Sequence, residues 1–158
     1  MKDSSKAILR RVCLVLFAVY VITLAYFLFF SDGYGRTTMY ETFRYNLEPF
    51  KEIKRFYIYS ARVGLIASVT NIAGNVVAFM PFGALIRWVR NKKTSVFVAV
   101  GYTFLFSLCI ELVQLVTRVG VFDVDDLILN TAGGLIGYIG YYILASIDRR
   151  YRDERKEK

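Results

Sequence analysis

The chain alternates between four long apolar stretches and shorter segments that carry most of its charge. The first stretch, at residues 12–30, has nineteen residues without a charged side chain, and about twenty apolar residues cross the hydrocarbon core of a bilayer as a helix. Three more apolar stretches lie at about residues 63–88, 94–116 and 127–147. The pattern predicts four transmembrane helices, with a kink or a break in the second at Pro81.

Short links join the last three stretches, so these helices should be antiparallel neighbours. We therefore predict an all-α membrane protein in which residues 1–158 form one domain, a compact bundle of four transmembrane helices. The longest segment between the apolar stretches is the first loop, at residues 31–62. The stretch "FKEIKRFYIYSARVG" at residues 50–64 has apolar and basic residues near helical spacing. Two interpretations stay open, an interfacial helix on the outer membrane surface and a basic connector.

Charge gives the bundle an orientation. Of the 21 Lys and Arg residues, four lie in the N-terminal tail, four at residues 87–93 and six in the C-terminal tail, whereas seven lie in the first and third loops. The positive-inside rule then predicts that both termini are cytoplasmic. The formal charge of +8 sits mostly at the ends of apolar stretches, which favours anionic lipid headgroups as contacts and predicts no nucleic-acid partner.

Residue usage narrows the chemistry. The chain has no histidine, which removes the usual general base, the usual zinc ligand and every Ser-His or Cys-His nucleophile pair. Its two cysteines, Cys13 and Cys109, lie inside apolar stretches and are interpreted as small buried hydrophobic residues.

Polar residues nevertheless recur inside the apolar stretches. On the third predicted helix, a polar stripe follows helical steps of three and four; its members are Thr103, Ser107, Glu111, Gln114 and Arg118. Asn71 and Asn75 share a face of the second helix in the same way. Past the third turn, Asp123, Asp126 and Asn130 share a face that continues as Gly133, Gly134 and Gly137. Such glycines let helix backbones approach closely within lipid.

The predicted depth brings these polar faces together. Glu111 lies about 26 Å from the inner end of its helix at 1.5 Å per residue, near the outer edge of a core about 30 Å thick. Asn75 and Asp126 fall in the same outer half by the same count. A charged carboxylate at a helix centre costs roughly 2.5–3.5 kcal/mol on insertion scales, so we expect Glu111 to face a polar interior. The sequence therefore predicts a buried polar site.

Each set also has a structural interpretation. Asn71 and Asn75 can join helices through amide hydrogen bonds, and Asp123, Asp125 and Asp126 can form a solvated turn with a helix N-cap. Glu111 with Arg118 can belong to a structural polar network.

Two blocks of the sequence resemble the signature blocks of the VanZ-like family of bacterial membrane proteins. They are "NIAGNVVAFMPFG" at residues 71–83 and "ELVQLVTRVGVFDVDDLILNTAGGLIGY" at residues 111–138. The stretch "NLEPFKEI" at residues 46–53 is similar to the Asn-Leu-x-Pro-Phe element before them, with Glu48 where an apolar residue is common. The resemblance implies a role in the cell envelope of a bacterium, since the family is named for a protein linked to low-level teicoplanin resistance. Its motif positions fall on Asn71, Asn75, Pro81, Gly83, Glu111, Gln114, Arg118, Asp123, Asp126, Asn130 and Gly134.

The function we favour is a binding or shielding role. An outward-facing pocket would engage an envelope lipid, a lipid-linked wall precursor or a lipoglycopeptide antibiotic such as teicoplanin. Arg118 would meet an anionic head group. The expected ligand-binding residues are Asn71, Asn75, Glu111, Gln114, Arg118, Asp126 and Asn130.

Two alternatives stay open. In the first, Glu111, Asp123 and Asp126 are catalytic, either as general acid and base or as ligands, with Asn130, of a divalent cation. Oxygen ligands would favour magnesium or calcium as that cofactor. In the second, the polar faces hold the helices together and the protein acts as a structural or partner subunit of an envelope complex.

Overall fold

A computed structural model describes residues 3–30, 40–51, 54, 58 and 65–155, and of residues 3 and 65–71 the backbone alone. Four long helices dominate this part of the chain: α1 (Asp3–Phe30), α2 (Leu65–Arg90), α3 (Val96–Thr117) and α4 (Val124–Glu154). Each is long and apolar enough to cross a membrane. The predicted bundle of four transmembrane helices is confirmed. The sidedness of the termini stays a prediction.

Helix boundaries differ from the predicted spans mainly where helices continue beyond the apolar stretch. Helix α1 begins at Asp3, and α4 extends to Glu154. Helix α2 contains Pro81 but is unbroken from Leu65 to Arg90. In the turn before this proline, the Tyr20 hydroxyl of α1 donates a hydrogen bond to the Ala78 carbonyl at 2.7 Å. This hydrogen bond attaches α1 to α2 next to the proline.

Helices α2 and α4 pack backbone against backbone. A Cβ atom built on Gly83 would lie 1.8 Å from the Gly134 carbonyl oxygen, and one on Gly137 would lie 1.9 Å from that of Met80. A Cβ atom built on Gly133 would lie 2.2 Å from the Val76 carbonyl oxygen. These distances leave no space for any side chain. The predicted role of the glycine face in close helix packing is therefore met, and we call this contact the glycine seam.

Side chains attach α1 and α3 to this seam. The Phe82 ring stacks on Phe106 of α3 at 4.7 Å between centroids and meets Phe17 of α1 at 5.4 Å. Phe79, only 1% exposed, packs with Leu24 and Ile110. Most other large apolar side chains of α1 point outward; Ile22, for example, is 70% exposed. Outward apolar side chains are expected where the solvent is lipid.

The bundle carries one element that the sequence pattern did not predict. Strand β1 (Tyr45–Asn46) pairs in parallel with strand β2 (Phe122–Asp123), with Tyr45 opposite Phe122 and Asn46 opposite Asp123. The pairing brings the middle of the first loop against the start of α4. Residues 50–64, predicted as an interfacial helix or a connector, fall largely outside the described residues.

Candidate functional site

The polar stripe of α3 is buried. Thr103 and Ser107 are fully buried, and Glu111 and Gln114 are each 2% exposed. Thr103 donates its hydroxyl hydrogen to the Ala99 carbonyl one turn earlier, at 2.9 Å. Four of the five residues in the predicted stripe therefore lie on the inner face of α3, as their helical spacing predicted.

Next to this stripe lies a cavity of about 210 Å³, which we call the polar cavity. All four helices contribute to its wall. Helix α1 supplies an apolar side through Leu24, Phe27 and Leu28. The opposite side is polar and combines residues of α2, α3 and α4, namely Asn75, Glu111, Gln114, Asp126 and Asn130. The cavity is therefore amphipathic, with its polar groups collected from three separate helices.

Glu111 connects this wall to the start of α4. Its Oε2 atom accepts a hydrogen bond from the backbone N–H of Asp123 at 3.0 Å. Asp123 is the N-cap of α4, and its carboxylate accepts from the backbone N–H of Asp125 at 2.8 Å. The capping interpretation is confirmed, because Asp side chains satisfy the free N–H groups of a first turn. The turn is not solvated, however, since Asp123 is 9% exposed and Asp125 is fully buried.

Two asparagines link helices across the cavity. The Asn75 amide of α2 donates a hydrogen bond to the Asp126 carboxylate of α4. The Asn130 amide donates to the Ser107 hydroxyl of α3 at 2.9 Å. Asn130 is 4% exposed, and its Oδ1 atom is buried without a hydrogen-bond partner. A buried acceptor without a hydrogen-bond donor lowers the stability of the fold.

Gln114 closes the cavity towards α1. Its Nε2 atom donates a hydrogen bond to the Leu28 carbonyl at 3.1 Å. Gly120, in the turn after α3, lies against the same side chain, where a Cβ atom would approach Gln114 Cβ to 3.2 Å. The glutamine therefore holds the end of α1 near the polar wall.

The first loop supplies contacts that the sequence reasoning missed. Asn46 donates its side-chain amide to the Asp123 carboxylate at 3.1 Å, and the backbone N–H of Phe50 donates to the carboxylate of Asp125. Both contacts brace the N-terminal turn of α4 from the loop. The motif at residues 46–53 marked this part of the loop in the sequence, but it did not indicate which residue Asn46 would contact.

Arg118 departs from the predicted stripe. Helix α3 ends at Thr117, and Arg118 is its C-cap in the left-handed conformation, with φ 57°. This reversal directs the exposed side chain towards the first loop, where Nη1 donates to the Glu41 carbonyl at 3.3 Å and the guanidinium lies 4.7 Å from the Phe43 ring centre. Arg118 does not line the polar cavity. Of the other predicted residues, Asn71 lies in α2, but its side chain falls outside the described atoms.

The charge of the cavity wall follows from this placement. Glu111 and Asp126 contribute carboxylates, and no Lys or Arg is among the described residues that line the cavity. Such a wall favours a ligand that donates hydrogen bonds or carries positive charge. Among the described residues, no group of three His, Cys, Asp or Glu side chains is arranged to hold a metal ion. The magnesium or calcium site expected at Glu111, Asp123, Asp126 and Asn130 stays a prediction.

Four long apolar helices around an amphipathic interior cavity define a small multi-pass membrane protein. The model of the VanZ/LLP1 family matches residues 17–145, and the chain belongs to this family, as the resemblance predicted. It is 28% identical to Protein VanZ of Enterococcus faecium over 124 residues, which cover 77% of this chain and 68% of that protein. No solved structure matches. Family and helices together place the protein in the cell membrane.

Proposed function

We propose that the polar cavity binds the polar end of an envelope lipid or of a lipid-linked wall precursor, while the apolar tail lies along α1. The observation that carries the proposal is the amphipathic cavity itself, whose polar wall combines carboxylates and amides from three helices. Ligand N–H or O–H groups would donate hydrogen bonds to this wall. The apolar wall of Leu24, Phe27 and Leu28 suits the adjoining hydrocarbon.

Size and charge narrow the ligand. The cavity volume of about 210 Å³ is below the roughly 300–1,000 Å³ of pockets that enclose a drug-sized molecule. It accepts a small headgroup or a single ring, so a whole lipoglycopeptide would have to bind elsewhere. Because the wall carries carboxylates and amides, an amine or a hydroxyl-rich group fits better than a phosphate. Any phosphate of the ligand would lie outside the cavity, where Arg118 keeps its predicted role.

The family link to teicoplanin resistance supports an envelope ligand over a cytosolic one. Binding or shielding of a lipid-linked precursor would change what a glycopeptide antibiotic meets at the membrane surface. The amine- or hydroxyl-donating part of that precursor is the portion we assign to the polar cavity.

Gly74 offers a test that leaves every polar contact in place. It lines the cavity, and a Cβ atom built on it meets no atom within 4 Å. Gly74→Leu should therefore fill the cavity without disturbing Asn75, Glu111 or Asn130. The matched control is Gly101→Leu, because Gly101 of α3 has the same free space and does not line the cavity.

The measurement is mass spectrometry of lipids that co-purify with wild type and both variants from the same membranes. We expect one lipid species to be enriched with wild type and with Gly101→Leu, and to fall about tenfold or more with Gly74→Leu. Equal enrichment in all three, at equal yield of folded protein, would refute the proposal. It would instead favour the structural role, for which the hydrogen bonds between the helices already provide a reason.

Catalysis keeps one specific observation in its favour, since Glu111 and Asp126 face the same cavity. Asp123, the third predicted catalytic residue, serves as the cap of α4 and does not line it. Chemical conversion of the enriched lipid by purified wild type, lost in Asp126→Asn, would move the proposal from binding to catalysis.

A further inference from the structure

The end of the bundle opposite the polar cavity carries a second concave surface of different character. Two adjoining hollows, of about 730 and 380 Å³, share Arg87 and Lys93 in their walls. We call them together the basic groove. It lies where the N-terminal half of α1, the turn between α2 and α3, and the C-terminal half of α4 meet. Its cationic residues are Lys6, Arg10, Arg87, Lys92, Lys93 and Arg149.

The described lining of the groove carries more positive than negative charge. The smaller hollow has five of these cations, and no acidic residue is among the described residues that line it. The larger hollow has Asp148, whose carboxylate pairs with Arg152 at 2.9 Å. In addition, the Nε atom of Arg10 is buried without a hydrogen-bond partner. Several cations that line one hollow favour a ligand with negative charge.

Aromatic residues and hydrogen bonds hold the groove in shape. The Arg87 guanidinium lies 5.8 Å from the Tyr141 ring centre and 5.9 Å from that of Tyr142. The Tyr138 and Tyr142 hydroxyls both donate to the Thr94 carbonyl, at 2.8 and 3.2 Å. The turn between α2 and α3 is thus fixed against α4 before any ligand arrives. Trp88 adds an aromatic ring to the smaller hollow.

The groove lies at the level of a membrane interface. Ser95, the N-cap of α3, lines the basic groove, whereas Glu111, near the other end of α3, lines the polar cavity. Their separation along α3 is about 24 Å at 1.5 Å per residue, close to the thickness of the hydrocarbon core. Trp and Tyr are enriched at the headgroup level, and basic pockets between transmembrane helices bind anionic headgroups.

We propose that the basic groove is a binding site for the phosphodiester headgroup of an anionic phospholipid, with Arg87 and Lys93 as its shared contacts. The site is independent of the polar cavity in place and in ligand, because one wall is cationic and the other carries carboxylates. It would tie the three helices that meet there to one leaflet of the bilayer.

Trp88 provides a local reporter, since it is the sole tryptophan of the chain and lines the groove. The full chain is reconstituted in phosphatidylcholine vesicles that contain phosphatidylglycerol. Either lipid is brominated near the glycerol end of its acyl chains, and quenching of Trp88 fluorescence gives the relative binding constant of the two lipids. We expect quenching by the anionic lipid to exceed its share of the vesicle.

The test variant is Arg87→Gln with Lys93→Gln, and the control is Arg150→Gln with Arg155→Gln. The control also removes two positive charges, at the C-terminal end of α4, and neither of its residues lines the groove. We expect the test variant to lower the anionic preference roughly 10- to 30-fold, given the usual contribution of each basic residue, and the control to keep it. An equal loss in both would mean diffuse surface charge and would overturn the site.

A second variant, Lys6→Gln with Lys92→Gln, guards against misfolding because both side chains are exposed. It should also lower the preference; an unchanged preference in this folded variant contradicts the proposal. Inorganic phosphate, added at increasing concentration, distinguishes a lipid headgroup from a free anion. If phosphate alone releases the quenching at low concentration, the groove is a site for a soluble phosphate and the assignment to lipid is wrong.

Discussion

Helices α4 and α1 both pack on α2, but they are attached in different ways. Helix α4 meets α2 along the glycine seam, where backbone atoms touch and no side chain intervenes. Helix α1 contacts α2 through side chains, with the Tyr20 hydroxyl on the Ala78 carbonyl and the Phe17 ring on Phe82. The seam tolerates no change in spacing, whereas side-chain contacts can separate and re-form.

This difference has a consequence for the polar cavity. The seam and the contacts of α3 fix its polar wall, because Asn75, Glu111 and Asn130 all sit on helices bonded to one another or to the cap of α4. The apolar wall belongs to α1, the more loosely attached helix. A lipid that entered the cavity from the bilayer would therefore displace α1 and break the hydrogen bond from Gln114 to Leu28, while the hydrogen bonds among α2, α3 and α4 would remain.

The seam gives the largest expected effect. Gly137→Leu places a Cβ atom 1.9 Å from the Met80 carbonyl oxygen, which forces α2 and α4 apart. We expect a loss above about 4 kcal/mol, the range in which single substitutions abolish folding. Size-exclusion chromatography in mild detergent should show no monodisperse protein. Gly140→Leu on the same helix is the control, since a Cβ atom there meets nothing within 4 Å. If this control also aggregated, the loss of folding could not be assigned to the close contact at the seam.

The polar wall gives the next effect. Glu111→Ala leaves the buried N–H group of Asp123 without the acceptor it now has at 3.0 Å, and such a loss costs about 1–3 kcal/mol. Glu111→Gln keeps an amide oxygen at that position and should recover most of the loss in thermal unfolding. The control is Leu112→Ala, one residue on and 45% exposed. A Gln variant as unstable as the Ala variant would show that the charge of Glu111, and not its acceptor, stabilises the fold.

Sequence reasoning recovered the elements whose signal is periodic. Thr103, Ser107, Glu111 and Gln114 follow one face of α3, and a face is what burial selects. The same logic found the glycines of the seam. It failed at Arg118, because extending a stripe assumes that the helix continues, and a left-handed C-cap at a residue other than glycine gives no such warning.

The remaining contacts had no periodic signal at all. Strands β1 and β2 have two residues each, and Asn46 and Asp123 are 77 positions apart. The apolar wall of α1 was hidden for a different reason. Residues 12–30 are apolar on every side, so composition predicts a transmembrane helix but not which face meets its neighbours.

The smallest effect belongs to α1 and distinguishes the two attachments most directly. Tyr20→Phe removes the hydrogen bond to Ala78, and hydrogen bonds between membrane helices contribute about 0.6 kcal/mol on average. The unfolding midpoint should fall by only about 1–2 °C at this chain length. Hydrogen exchange is the sharper measurement, because local opening of α1 need not open the rest of the bundle. We expect faster exchange in α1 with exchange at the seam unchanged, and no change in Tyr26→Phe, whose ring is 60% exposed. If exchange rose equally in α1 and α4, the two helices would open as one unit and α1 would be as firmly attached as the seam.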